Sequence, residues 1–204
     1  MNLQKLFEMQ AVLDADIIKR HPVQPGEDRS SKKNLALLVE LGECANEFRE
    51  FKFWSNDQEP RTDYPIADCK SCDSGLLYLD CAERMVDCPH CNGEGKITKN
   101  LILEEYVDCL HFALSIWNEN PPCSTAEIQA IMMKKLEEVT RNPMYVFIDL
   151  FNELSFYDKA NSGIIGVLEK LAELAKALNF KWEQIEQAYI DKNKINFERQ
   201  ATGY

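Results

Sequence analysis

The chain is predicted to be all-α, interrupted once by a small cysteine-rich insertion. Three observations carry this prediction. Apolar residues recur at helical spacing through six or seven segments, as in helices that bury one face. Outside residues 66–98, no segment shows the alternation of a half-buried strand. Within 66–98 the helical period vanishes, and glycines, aspartates and five of the eight cysteines gather. The expected division is a helical domain over 1–65 and 99–204, with an insertion at 66–98.

Residues 1–20 place Leu3, Leu6, Phe7, Gln10, Leu13 and Ile17 on one face and form the first helix. His21-Pro22 and Pro25-Gly26 end it. Ser30 or Ser31 is suited to cap a long helix through Asn34–Trp54, with Leu35, Leu38, Leu41, Ala45 and Phe48 as its apolar face. Ser55–Pro65 is polar, contains two prolines and reads as a linker. Short strands are expected near Leu76–Leu79 and Arg84–Val86. Helical patterning returns over Leu101–Trp117 and stops before Pro121 and Pro122. Ser124 followed by Glu127 is a capping-box signature opening a helix over Thr125–Thr140. Further helices are expected over Met144–Tyr157, Ile164–Leu178 and Trp182–Arg199.

Composition narrows the function. With 204 residues the chain has room for one domain and a small insertion. No apolar run approaches the ~20 residues that span a bilayer. MNLQKLFEMQ lacks the basic region and cleavage site of a signal peptide, so a cytoplasmic protein is expected. Lys and Arg number 23 against 34 Asp and Glu, a net charge of −11. Such a chain neutralises few phosphates, which argues against duplex nucleic acid as the main partner. A phosphate-bearing substrate remains accessible through bridging divalent cations. Eight cysteines without a secretory signal point to thiols or a metal rather than disulfides.

Cys69-Lys-Ser-Cys72 and Cys88-Pro-His-Cys91 are two knuckles separated by fifteen residues. Each would place two thiolates on one edge of a tetrahedral Zn²⁺. His90 and Cys81 are alternative ligands, but four thiolates complete the site. A closed four-thiolate site is structural and leaves no open position for substrate.

On the Asn34–Trp54 helix, Glu40 and Glu43 are three apart and project side by side. For that helix alone, a solvated acidic face accounts for the pattern. A second pair, Glu105 and Asp108, stands on the helix after the insertion. If the apolar stripes of the two helices pack together, all four acids converge, which is unfavourable unless divalent cations occupy the cluster. Oxygen ligands favour Mg²⁺ or Mn²⁺ over zinc. Glu47 and Glu50 are assigned to solvent. A di-iron bundle would need a Glu-x-x-His from each of two helices. His111 is the only histidine within the helices, so that reading fails; His111 is either a hydrogen-bonded core residue or a helper beside the acids.

ELGE on one helix and EEYVD on the next, followed respectively by EFREFKFW and DCLHFALSIW, form a recognisable set. With them goes the C-terminal pattern Lys192-Asn193, Asn196, Arg199-Gln200 and Gly203-Tyr204. Together these resemble the all-α nucleoside triphosphate pyrophosphatase (MazG-like) superfamily, and within it the dimeric dUTPase family. The resemblance covers everything except the insertion. Two departures are Phe197, where some relatives carry His, and Asp14, where some carry Asn.

The resemblance implies a helical bundle of that type, a homodimer with each site completed across the interface, and hydrolysis of dUTP to dUMP and pyrophosphate. Glu40, Glu43, Glu105 and Asp108 would hold Mg²⁺ or Mn²⁺ against the triphosphate, and Glu40 or Glu43 would take the proton from the attacking water. Lys192, Asn196 and Arg199 lie on one helical face and suit phosphate oxygens. Trp54 would border the uracil, with Lys52 at the approach, and Gln10 would read the base edge. Phe112 would wall off the sugar, and His111 would assist. Packing or surface roles explain Gln10 and Trp54 equally well. Two other functions fit the same residues: a dCTP or broader MazG-like pyrophosphatase, and a non-enzymatic zinc-dependent interaction module.

Overall fold

The computed structural model describes residues 2–79, 84–138, 141–156 and 163–203. It is all-α apart from two small antiparallel ribbons. In order, α1 spans Leu3–Arg20 and α2 Arg29–Phe48, and the ribbon strands are β1 (Tyr64–Asp68), β2 (Leu76–Leu79), β3 (Arg84–Asp87) and β4 (Lys96–Lys99). They are followed by α3 (Leu101–Glu119), α4 (Thr125–Glu137), α5 (Pro143–Ser155), α6 (Gly163–Ala177) and α7 (Trp182–Thr202).

The organising element is α3. Its apolar residues bury nearly all round, as expected of a helix enclosed by others. It packs against α1, α2, α6 and α7, while α4 and α5 close the bundle through α6. Trp117 meets Phe7 at 5.4 Å between ring centroids, and Tyr106 Oη donates to the Leu171 carbonyl at 3.1 Å. Ser30 bonds Glu119, and Cys44 Sγ approaches the Ile102 carbonyl, so α2 and α3 run antiparallel.

The second helix differs from expectation at three points. Its cap is Asp28, whose carboxylate accepts from the Ser31 amide at 3.2 Å, and not Ser30 or Ser31. Its buried stripe is Leu37, Leu41, Cys44 and Phe48, whereas Leu35 is 63% exposed. It ends at Phe48 and does not reach Trp54. Arg49 turns left-handed there (φ 64°), held by its guanidinium on the Asp57 carbonyl at 2.9 and 3.1 Å. That grip comes from eight residues downstream and leaves no trace in the helical period.

The ribbons number four strands rather than two. The first strand, β1, pairs with β4 from Tyr64↔Lys99 to Asp68↔Lys96, with an irregularity between Pro65 and Ala67. The hairpin β2–β3 runs from Leu76↔Asp87 to Leu79↔Arg84. All five residues of β1 are exposed, so no alternation marks it. Cys69, Cys72, Cys88 and Cys91 converge between the ribbons, with Sγ atoms within 4.8 Å of one another. The Cys69–Cys88 and Cys72–Cys91 separations are 4.0 and 3.6 Å. A tetrahedral Zn–S distance of about 2.3 Å requires S–S edges of about 3.8 Å, so the four thiolates fit Zn²⁺. Gly75 (φ 98°) is required here, since a Cβ would overlap the Gly93 carbonyl. His90 is exposed, and Cys81 lies outside the described residues.

Candidate active site

Glu40 and Glu43 of α2 meet Glu105 of α3, each offering a carboxylate oxygen within 4.8 Å of the others. Antiparallel packing of the two helices produces this meeting, because the acids flank the buried stripes of both. Asp108, one turn further along α3, instead bonds Lys192 of α7 at 2.5 Å. Lys192 also reaches Glu104 at 3.3 Å, and Glu104 pairs with Lys99 at 2.6 Å. The fourth acid is therefore neutralised by an internal cation, while the other three face one another. Glu47 is not a solvent residue: its carboxylate accepts from Arg61 Nη1 at 3.1 and 3.3 Å. Glu50 is exposed.

The electrostatics follow from this crowding. Burial, then Asp108 and Glu43, pushes the Glu40 carboxyl up to about 7. Burial, then Asp108, Glu104 and Glu43, pushes Glu105 up to about 7. Burial also raises Asp108 against the pull of Lys192. Burial opposes the charge of Glu104, but Lys99 and Lys192 outweigh it and hold Glu104 below its ordinary range. Carboxylates of this kind take up either protons or a divalent cation near neutral pH. The all-oxygen donor set fits Mg²⁺ or Mn²⁺.

On α7, Asn196 and Arg199 share the flank of Lys192, and both are half-buried. Arg199 lies close enough to Glu40 and Asp108 to oppose the rise of both carboxyls, without reversing it. The same helix buries Ile185, Tyr189 and Asn193 against the bundle.

Behind the acids lies a buried polar network. Gln10 Nε2 donates to Asp14 at 2.9 Å, so its Oε1 is the acceptor for Tyr189 Oη at 2.7 Å and His111 Nδ1 at 2.8 Å. This assigns the proton of His111 to Nδ1 and leaves Nε2 an acceptor. Burial, then Lys192, pushes the imidazole down to about 3, so it is neutral. Its ring stacks on Tyr189 at 3.9 Å between centroids. His111 Nε2 and Asn193 Nδ2 are both buried without a hydrogen-bond partner among the described residues, and both residues are 5% exposed. Asn193 stands in the C-terminal family pattern but has no role assigned to it there, although a polar residue in register with Ile185 and Tyr189 is a readable signal. Phe112 is half-buried against the core. Lys52 bonds Asn46, and Trp54 is 66% exposed beside Phe51 and Phe53.

A helical bundle whose adjacent helices bring carboxylates together, with Lys, Asn and Arg arrayed on a third, has the architecture of an all-α nucleotide hydrolase. A family model described as dUTPase matches residues 2–66 and 91–204. The chain belongs to the all-α dimeric dUTPase family and is a dUTP diphosphatase. Residues 67–90, with Cys69, Cys72 and Cys88, fall outside the match. No curated protein matches the chain. Among the described residues, no helix is long and apolar enough to cross a membrane.

Proposed function

We propose that this protein cleaves dUTP to dUMP and pyrophosphate by water attack at the α-phosphate, in a reaction that needs Mg²⁺ or Mn²⁺. The observation that carries this reading is the convergence of Glu40, Glu43 and Glu105 beside the Asp108–Lys192 pair. When bound, the divalent cation neutralises triphosphate charge and acidifies the attacking water. Glu40, Glu43, Glu105 and Asp108 are the residues that would hold it. With a cation held there, Asp108 would serve as a ligand in place of its Lys192 partner, and the Lys192 ammonium, still beside Glu104, would meet phosphate oxygens. Arg199 offers a planar fork to the same group and Asn196 an amide. Glu40 or Glu43, whichever is less engaged by metal, takes the proton from water.

Base selection rests on the two unpartnered groups. Uracil presents an N3–H donor flanked by carbonyl acceptors. His111 Nε2 can accept the first and Asn193 Nδ2 can donate to the second. Cytosine reverses both polarities at N3 and C4, leaving buried groups of like kind opposed. Gln10 holds the His111 tautomer from behind, with its own amide committed to Asp14, His111 and Tyr189. Lys52 and Trp54 stand at the outer approach, and Phe112 walls the sugar.

The remaining assignments are that 66–98 is a zinc-holding insertion and that the enzyme is a homodimer. Leu35 and Val39 on α2, and Tyr145, Ile148 and Phe156 on or next to α5, are exposed apolar residues facing away from the core. Covering them with a second copy buries the outer face of the helix that carries Glu40 and Glu43. A nucleotide panel with Mg²⁺ tests the activity. Rapid conversion of dUTP, with dCTP and dTTP spared, supports it; dUTP left intact with either cation refutes it.

A further inference from the structure

Resting on the metal-dependent reading above, we propose that the zinc module is a clamp that fixes the spacing between Glu43 on α2 and Glu105 on α3. Arg61 and Lys99 act as its positioning residues, and zinc at the thiolates favours Mg²⁺ or Mn²⁺ at the carboxylates.

The module joins the bundle at two roots lying side by side, because Tyr64 pairs with Lys99. Each root sends one cation to one acid-bearing helix. Arg61 grips the Glu47 carboxylate, one turn beyond Glu43, and Lys99 grips Glu104, next to Glu105. The Arg61 main chain completes the bridge: its amide donates to the Glu47 carbonyl at 3.1 Å, and its carbonyl accepts from the Leu101 amide at 3.0 Å. One residue thus ties the last turn of α2 to the first residue of α3. Its guanidinium also lies over the Tyr64 ring at 4.6 Å, fixing it to the first residue of the ribbon.

Gathering Glu40, Glu43 and Glu105 is electrostatically uphill, and to the packing of the buried stripes of α2 and α3 the clamp adds a tie at the last turn of α2. The clamp supplies it only while β1 and β4 stay paired. A two-stranded ribbon is marginal in water, and the core of this one is little more than the cysteines with Leu77 and Ile97. Zinc closes it from the far end, where Cys69 directly follows β1 and its amide donates to the Gly95 carbonyl at 2.8 Å, next to β4. The order of dependence is thiolate ligation, ribbon pairing, placement of Arg61 and Lys99, then carboxylate spacing.

The test is calorimetric titration of Mn²⁺, without nucleotide, into zinc-loaded protein, zinc-stripped protein, and zinc-loaded Arg61→Ala and Lys99→Ala variants. Stripping zinc should weaken Mn²⁺ binding about tenfold, within the range of coupled sites, and each variant should lose several-fold. Reciprocally, saturating Mn²⁺ should tighten zinc binding by the same factor as zinc tightens Mn²⁺. A merely structural role would lower the melting temperature and leave the Mn²⁺ affinity of the folded protein unchanged. Affinities within about twofold across all samples therefore overturn the clamp. Should Arg61→Ala fail to fold, Lys99→Ala still decides, since Lys99 is at the surface. Zinc-loaded wild type that binds no Mn²⁺ would overturn the metal reading of the acids as well; bound Mn²⁺ indifferent to zinc overturns the clamp alone.

Discussion

Replacing Glu105 by Gln is predicted to stabilise the protein free of Mg²⁺ and Mn²⁺ while destroying turnover. The Glu105 carboxyl is raised from its ordinary 4.5 to about 7 by burial and by the charges of Asp108, Glu104 and Glu43. That shift corresponds to roughly 3 kcal/mol against the ionised form. The side chain is half-buried, and residual solvent screening reduces the cost to about 1–2 kcal/mol. Between pH 4.5 and about 7 the native state holds a proton that the unfolded chain has released. Native stability therefore falls as pH rises through that window, and the full cost is present above it. Glu40, raised to about 7 for the same reasons, adds to the same trend. The neutral amide of the E105Q variant escapes the cost. At pH 8, without Mg²⁺ but with zinc retained, E105Q should melt about 2–8 °C above wild type, taking 2–4 °C per kcal/mol for a chain of this size. Near pH 4 the difference should vanish. Added Mg²⁺ should raise the wild-type melting temperature at pH 8 and leave that of the variant nearly unchanged. The turnover number of E105Q should drop by about a hundredfold or more. Thermal unfolding by circular dichroism across pH supplies the measurement. An E105Q protein less stable than wild type at pH 8 would refute the reasoning, because Glu105 would then be a net stabiliser and not one of a set of crowded, cation-seeking carboxylates.

Three other outcomes follow from single residues. Asn193→Ala should cost dUTP turnover more than tenfold while narrowing the dUTP-to-dCTP ratio of kcat/KM, since the lost donor is the one proposed to meet a uracil carbonyl. An unchanged ratio removes Asn193 from base reading. Gly75→Ala should abolish zinc retention, measured by metal analysis, because the added Cβ collides with the Gly93 carbonyl; helical content should persist, and full zinc occupancy would contradict the packing. Val39→Glu should convert a dimer to a monomer in sedimentation, as it sets a charge on the exposed apolar face of α2. An unaltered dimer would place the interface elsewhere.

Much of the helical framework was legible because burial and the 3.6-residue period speak the same language. The capping box of Ser124 and Glu127 is present as its spacing implied. The end of α2 was not legible, because it depends on Arg49 reaching Asp57 and not on any breaker. The strand β1 was hidden by exposure on both faces and by Pro65, and β4 by being four residues long with adjacent Ile97 and Thr98 both half-buried, which gives no alternation. At the site, three-residue spacing was enough to place Glu40 beside Glu43. The Asp108–Lys192 pair spans 84 positions, and the Glu47–Arg61 pair crosses a loop. Neither follows from any local pattern. Asn193 is visible as a polar interruption of an apolar stripe, yet only its unpartnered amide gives that interruption a meaning.

Water attack at the α-phosphate of dUTP is tested most directly by running the reaction with Mg²⁺ in ¹⁸O-labelled water and locating the label. One ¹⁸O is expected in dUMP and none in the pyrophosphate released. Label in pyrophosphate, or release of orthophosphate with dUDP, would contradict it.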